Sequence, residues 1–214
     1  MNIILTGATG MVGEGVLLEC LDNSAVTSVL SVSRKPYGLQ HPKLKELIVP
    51  DFLKIGNYAH QLTGYDACFF CAGISSVGLN EEKYTKITYD TTLAFAKTVL
   101  AQNPNLVFTY VSGRSTDSSE KGRIMWARVK GKTENDLIKL GFKGMYNFRP
   151  ALMIPVPGQK SIGSFQKILF HIFKYAFAKT SIPLKDVGKA MIHAVERGYS
   201  KQVLEVEDIK ELAK

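Results

Sequence analysis

The chain opens MNIILTGATGMVGEGVLLECLD, with Gly7, Gly10 and Gly13 set between a run of β-formers and a helical stretch. A strand that turns at once into a helix leaves the helix's first backbone N–H groups unpaired, with the positive end of the helix dipole behind them. In such a loop Gly7 permits the tight turn, Gly10 lets a diphosphate approach the backbone, and Gly13 lets helix and strand pack closely. Thr9, Met11 and Val12 complete the loop and the helix's first turn. A glycine pattern alone is a weak signal, but this one stands at the start of a strand–helix–strand unit, the context that makes it a dinucleotide site.

The rhythm after that loop agrees. TSVLSVS, LKELIVP, DACFFCA, NLVFTYVS and GMYNFRP read as strands, and they are near-continuously apolar, as strands covered on both faces are. Between them lie a short helix near NYAHQL, a long helix from Asn80 to Gln102 and another from Gly122 to Leu140. Strand–helix alternation at this spacing predicts α/β architecture: a Rossmann-type, doubly wound parallel sheet with right-handed crossovers. From Pro150 onward the alternation breaks. ALMIPVPGQKSIGS reads as loop, FQKILFHIFKYAFAK as a helix, IPLKDVGKAMIHAVERG as another helix, and KQVLEVE as a last edge strand. Residues 1–214 are therefore expected to form one NAD(P)-binding domain, with 151–214 contributing a small cap on the substrate side. Within that cap, Phe165, Leu169, Ile172, Phe173 and Phe177 share one helical face and Lys167, His171 and Lys174 the other. Such a face docks on a neighbour or lies on a membrane surface.

Which dinucleotide is preferred follows from the end of the second strand. A site for NAD places a carboxylate there to bond the ribose hydroxyls. This chain has Ser33, Arg34 and Lys35 instead, a hydroxyl and two cations suited to a 2′-phosphate. NADP is expected, with NAD as the alternative. The formal net charge of +8 fits an anionic ligand. The cations are scattered, however, without the basic runs or interleaved aromatics of a nucleic-acid binder, so no nucleic acid is expected. No apolar run reaches membrane-spanning length. A small-molecule substrate is the expected partner, and a homodimer is admitted. Three cysteines, an odd number, suit a reducing compartment. With no secretory leader pattern, the cytoplasm is the expected location. Cys68 and Cys71 form a C-x-x-C, but on a strand residues three apart face opposite ways. His41, His60, His171 and His193 show no ligand spacing, so no metal is expected.

TGATGMVG, then PDF after the third strand, CAG after the fourth, YVSG after the fifth, and finally WARVKGKTE and FRP follow one another in an informative order. That order resembles the short-chain dehydrogenases/reductases, in their extended or atypical branch. It looks like the NAD-dependent epimerase/dehydratases, and is similar to their small bacterial members and to the Tat-interacting oxidoreductases. The resemblance implies that Asp51 and Phe52 flank the adenine and that Cys71, Ala72 and Gly73 line the cofactor's middle. It places Pro150 and Ala151 beside the nicotinamide and makes Lys130 the lysine that bonds the nicotinamide ribose. Ser112 matches the active-site serine, with Ser115 the alternative because SGRS departs from the usual pair of serines.

Trp126 falls where the resemblance implies the catalytic tyrosine. Trp126 and Lys130 are four apart and share one helical face. A tyrosinate held by the lysine passes the proton in that family, whereas an indole N–H only donates a hydrogen bond and does not ionise at useful pH. Ser112, Lys130 and Trp126 are thus the candidate catalytic set, and Tyr84, Tyr89 and Tyr110 are candidates to replace the missing phenol. Two functions remain open. One is an NADP-dependent oxidoreductase, or an epimerase/dehydratase-like enzyme, acting on a small organic carbonyl or similar acceptor. The other is a catalytically weak or inactive NADP-binding regulator or scaffold.

Overall fold

The first β-rich run becomes β1 (Asn2–Thr6), and the glycine turn delivers the chain into α1 (Met11–Asp22). The computed structural model describes residues 1–162 and 181–214. There follow β2 (Ser28–Ser33), β3 (Leu44–Ile48), a 3-10 stretch (Phe52–Gln61) and β4 (Ala67–Phe70). Next come α2 (Glu81–Thr85), a π-helical turn (Lys86–Asp90), α3 (Thr91–Gln102), β5 (Val107–Val111), α4 (Met125–Ile138) and β6 (Gly144–Phe148). The last third holds β7 (Leu152–Ile154), β8 (Ser181–Pro183), α5 (Leu184–Arg197), β9 (Val203–Leu204) and α6 (Val206–Leu212).

Seven strands form one sheet in the order β3-β2-β1-β4-β5-β6-β9, every neighbouring pair parallel. This is the expected Rossmann-type α/β fold. The chain winds outward from β1 in both directions, so the order reverses between β1 and β4. A crevice opens beyond the carboxyl ends of the strands at such a reversal.

Strand periodicity divides the core in two. Ile3 and Leu5 of β1 point to the face covered by α1, α5 and α6, together with Phe69, Phe148, Val16, Leu17 and Met191. Ile4 points the other way, into a layer with Phe70, Phe108 and Tyr110 that α3 and the 3-10 stretch cover. These side chains are almost wholly removed from water, and each large aliphatic one contributes about 1.5–3 kcal/mol by that burial.

The helix α5 crosses α1 where both carry glycine. A Cβ on Gly15 would lie 2.7 Å from Leu184 Cβ, and one on Gly188 would lie 2.8 Å from Glu19 Cβ. Residues 184–212 of the stretch read as a cap therefore cover one face of the sheet. Residues 156–161 lie instead against α1, where Gln159 donates to the Met11 carbonyl and the Lys160 and Ser161 N–H groups to Glu14. Three details differ from the sequence reading. Residues 152–154 and 181–183 form a small parallel pair where only loop and helix were expected. The edge strand is two residues long and runs into α6. The long helix after β4 is interrupted by the π turn. The expected helix at 165–179, with its apolar and basic faces, lies outside the described residues.

Candidate active site

The glycine loop does three separable things. Gly7 has φ +79°, a left-handed conformation, and a Cβ there would meet the Cys71 and Ala72 backbone at 2.8 Å. Gly13 lies inside α1, and its Cβ would stand 2.1 Å from the Gly7 carbonyl oxygen. Both are therefore fixed by the protein's own packing. Gly10 is different: its Cβ would approach nothing closer than 3.5 Å. The space beside Gly10 opens into the crevice, and that is the room a diphosphate needs at the tip of α1.

The crevice has a volume of about 450 Å³. Its floor is Gly7, Thr9 and Gly10. Ser33 and Arg34 line it from the end of β2, Asp51 and Phe52 from beyond β3, and Cys71, Ala72 and Gly73 from beyond β4. Residues picked from separate strands are thus gathered round one cavity. Pro50, Leu53, Phe70, Ile74, Lys86, Ile87 and Thr91 also line it, and the sequence reading missed them. Of the other residues expected at a cofactor, Met11, Val12 and Gly13 form the first turn of α1 behind the loop. Lys35 is exposed next to Arg34, and its carbonyl accepts from the Ser33 hydroxyl at 2.6 Å. Asp51 caps the 3-10 stretch by accepting from the Leu53 N–H at 3.0 Å. Burial pushes the Cys71 thiol up to about 12, and Cys68, inside β4, is raised as well. Neither Cys is in a disulfide.

A second group sits at the adjoining strand ends. The Lys130 ammonium, on α4, donates to the carbonyl oxygen of Ser112, just past β5. The Ser112 hydroxyl donates to Glu134, one turn along α4 from Lys130. Glu134 is fully buried and is held by Arg149, whose Nε is 3.1 Å from one carboxylate oxygen while a terminal nitrogen reaches the other. Arg149 also donates to Ser118 Oγ at 2.6 Å and to Glu205 at 3.2 Å. Burial opposes charge on Arg149, but the two carboxylates outweigh it and its pKa is raised. Lys130 goes the other way. Burial draws its ammonium down to about 8, with Glu134 opposing the change. Pro150 and Ala151 follow β6 at the same end of the sheet, where the Arg114 N–H donates to the Pro150 carbonyl at 3.0 Å.

Trp126 is half-buried in the first turn of α4, one turn before Lys130. The replacement phenols are all committed elsewhere. Tyr110 and Tyr84 are 2% exposed, and burial holds both above the ordinary phenol range. Tyr89 donates to Asp136 at 2.8 Å, and burial with that carboxylate raises it too. Ser115 is exposed in the loop after Ser112 with φ 68°. Glu134 and Arg149 were visible in KGKTE and FRP only as parts of motifs. A charge inside MYNFRP, otherwise a strand, was the signal that it must be paired.

A third carboxylate ties two segments of the chain onto α1. Glu14, fully buried on α1, accepts from the Tyr37 hydroxyl at 2.8 Å and from the Lys160 and Ser161 N–H groups at 2.6 and 2.8 Å. Burial alone would raise its pKa, but these bonds together with the Ser161 hydroxyl hold it below the usual range. Gln159 donates to the Met11 carbonyl at 2.7 Å. The loop after β2 and the segment 156–161 are thus both fastened to the first turns of α1.

Residues 3–118 match the NAD dependent epimerase/dehydratase family. Over 217 aligned residues the chain is 27% identical to a protein named fmp52, mitochondrial, from Emericella nidulans, covering 94% of this chain and 90% of that one. It is 24% identical to the protein HTATIP2 of Rattus norvegicus over 155 residues, 72% of this chain and 63% of the relative. Among solved structures, yeast methylglyoxal/isovaleraldehyde reductase Gre2, complexed with NADPH, superposes with a TM-score of 0.71 at 13% identity, over 96% of this chain and 78% of that one. The mitochondrial designation overturns the cytoplasmic expectation. Unpaired thiols separate reducing from oxidising compartments and do not discriminate among the reducing ones.

Proposed function

The chain belongs to the NAD dependent epimerase/dehydratase family, and from that premise we propose that it is an NADP-dependent oxidoreductase acting on a small organic carbonyl. The observation that carries this reading is the crevice itself. It brings the glycine loop, the end of β2 with Arg34, and the Cys71–Gly73 wall round one cavity at the reversal of strand order. Arg34 faces it where a preference for NAD calls for a carboxylate, which supports NADP. The cofactor would be held by Gly7, Thr9 and Gly10 at its diphosphate and by Asp51 and Phe52 at its adenine. Its reduced nicotinamide would supply the hydride.

The proton is this chain's own problem. Trp126 cannot give one. The Ser112 hydroxyl is spent on Glu134, and Tyr84, Tyr89 and Tyr110 are buried or bonded. Lys130 remains. An ammonium has three donors, and among the described residues only the Ser112 carbonyl takes one. Lys130 is therefore the residue to deliver a proton to the substrate oxygen, refilled from water. Residues 151–162, beside the same strand ends, border the substrate.

The test is NADPH consumption against a panel of aldehydes, ketones and quinones, with nucleotide binding measured in parallel by calorimetry. Turnover of at least one class is expected, with NADPH bound more tightly than NADH. Binding without any turnover would instead support the second reading, a cofactor-binding regulator, which Trp126 and the committed serine favour. No binding at all would end both.

A further inference from the structure

The crevice holds a cation that no motif flagged. Lys86 lines it together with Ile87 and Thr91, all from the π turn and the residue that follows. On an α-helix, residues five apart point about 140° away from each other, so Lys86 and Thr91 would not share a face. The π turn removes that separation. The Thr91 N–H bonds back to the Lys86 carbonyl, five residues earlier, and the Thr91 hydroxyl donates to the same oxygen at 3.1 Å. Such turns recur at functional sites because they re-aim side chains at the cost of regular bonding.

The charges around the crevice are unbalanced. Several basic side chains away from the crevice are paired within the protein: Arg128 with Glu81, Lys132 and Lys139 with Asp136, Arg149 with Glu134, Lys201 with Asp208. Among the described residues, the side chains of Arg34 and Lys86 have no ion pair or hydrogen bond, and both face the same cavity. Asp51 is the one acid lining it, and its carboxylate is turned to the Leu53 N–H. Two free cations on different walls call for an anion between them.

We propose that Lys86 is a cofactor-binding residue that grips the diphosphate, leaving Arg34 to the ribose 2′-phosphate. The division follows from where each comes from. Arg34 ends β2, the position that meets the adenosine ribose. Lys86 belongs to the helix after β4, and the residues leading to that helix, Cys71–Gly73, wall the crevice directly beside Gly7 of the glycine loop. The inference rests on the nucleotide-binding reading above and adds a contact to it.

Calorimetric titration of Lys86→Gln, Arg34→Gln and the parent protein with NADP+ and NAD+ tests it, with thermal melts as the folding control. Lys86→Gln should weaken both nucleotides by about the same factor, roughly tenfold for one charge-assisted contact. Arg34→Gln should weaken NADP+ and leave NAD+ unchanged. Lys86→Gln binding both nucleotides like the parent, or losing affinity for NADP+ alone, would overturn the assignment. If the parent protein binds neither nucleotide, it is the underlying reading that fails, before Lys86 is in question.

Discussion

Replacing Gly10 and Gly13 separately by alanine should split binding from folding. At Gly10 the backbone has φ −105° and ψ 162°, a conformation open to alanine, and the new methyl would have only the Gly7 oxygen near it, at 3.5 Å. Alanine is a poorer N-cap than glycine by up to about 1 kcal/mol, but it narrows the unfolded ensemble by about 0.4–1 kcal/mol. These offset, so the melting temperature should stay within about 4 °C of the parent, taking 2–4 °C per kcal/mol for a domain of this size. The methyl occupies the space beside the α1 tip, and nucleotide affinity should fall at least tenfold, about 1.4 kcal/mol. Gly13→Ala reverses the pattern. Its methyl would sit 2.1 Å from the Gly7 oxygen and 2.4 Å from the Gly7 carbonyl carbon, backbone atoms that cannot swing away. Overpacking of that kind costs about 3 kcal/mol, against about 1 kcal/mol gained in helix propensity. The net is about 2 kcal/mol, or a melting temperature lower by roughly 4–8 °C. Melts and calorimetry on the two variants decide it. A Gly10→Ala protein that binds nucleotide like the parent would refute placing the diphosphate at this loop, and a Gly13→Ala protein of parental stability would refute the packing.

Other outcomes follow from the second cluster. With the Lys130 ammonium drawn down to about 8 by burial, reduction of a carbonyl should slow as pH rises through 8, because the proton donor is lost, and the reverse oxidation should gain over the same window. Lys130→Arg, always charged, should abolish that limb of the pH profile; an unchanged limb would assign the titration to another group. Trp126→Tyr restores a phenol one turn from Lys130, and steady-state kinetics should show turnover rising by about 10²-fold, the lower end of what a general acid contributes. No gain would mean that proton transfer does not limit the parent enzyme. Glu134→Ala takes the bidentate counter-charge from the buried Arg149 guanidinium, leaving it Glu205 and the Ser118 hydroxyl, and frees the Ser112 hydroxyl; chemical denaturation should show about 3 kcal/mol lost.

How much of this was legible in the sequence depends on the range of the signal. Strand–helix alternation and the glycine spacing are local, and the parallel sheet with its reversal at β1 follows from them almost without choice. The residues at successive strand ends, Arg34, Asp51 and Cys71–Gly73, were also readable, because in a parallel sheet all the carboxyl ends arrive on one side. What the sequence could not show was competition between partners. Ser112 reads as an available hydroxyl until the fold brings Glu134 beside it, and Lys130 reads as an ordinary ammonium until burial is known. The phenols of Tyr84, Tyr89 and Tyr110 look interchangeable in one dimension and are separated only by packing.

The π turn marks the same limit from another side. NEEKYTKITYDTTLAFAK has the composition of an unbroken helix, and nothing in its periodicity announces one residue too many between Asn80 and Gln102. Reading it as regular α-helix puts Lys86 and Thr91 on different faces and leaves Lys86 a solvated surface charge. One shifted hydrogen bond, from the Thr91 N–H to the Lys86 carbonyl, is enough to bring both to the crevice. A single backbone irregularity thereby converts an unremarkable lysine into a candidate for the anion that Arg34 and the glycine loop already require. The site is built from long-range arrivals on a locally coded frame, which is why the frame could be read in advance, while the carboxylate that claims Ser112 and the turn that brings Lys86 to the crevice could not.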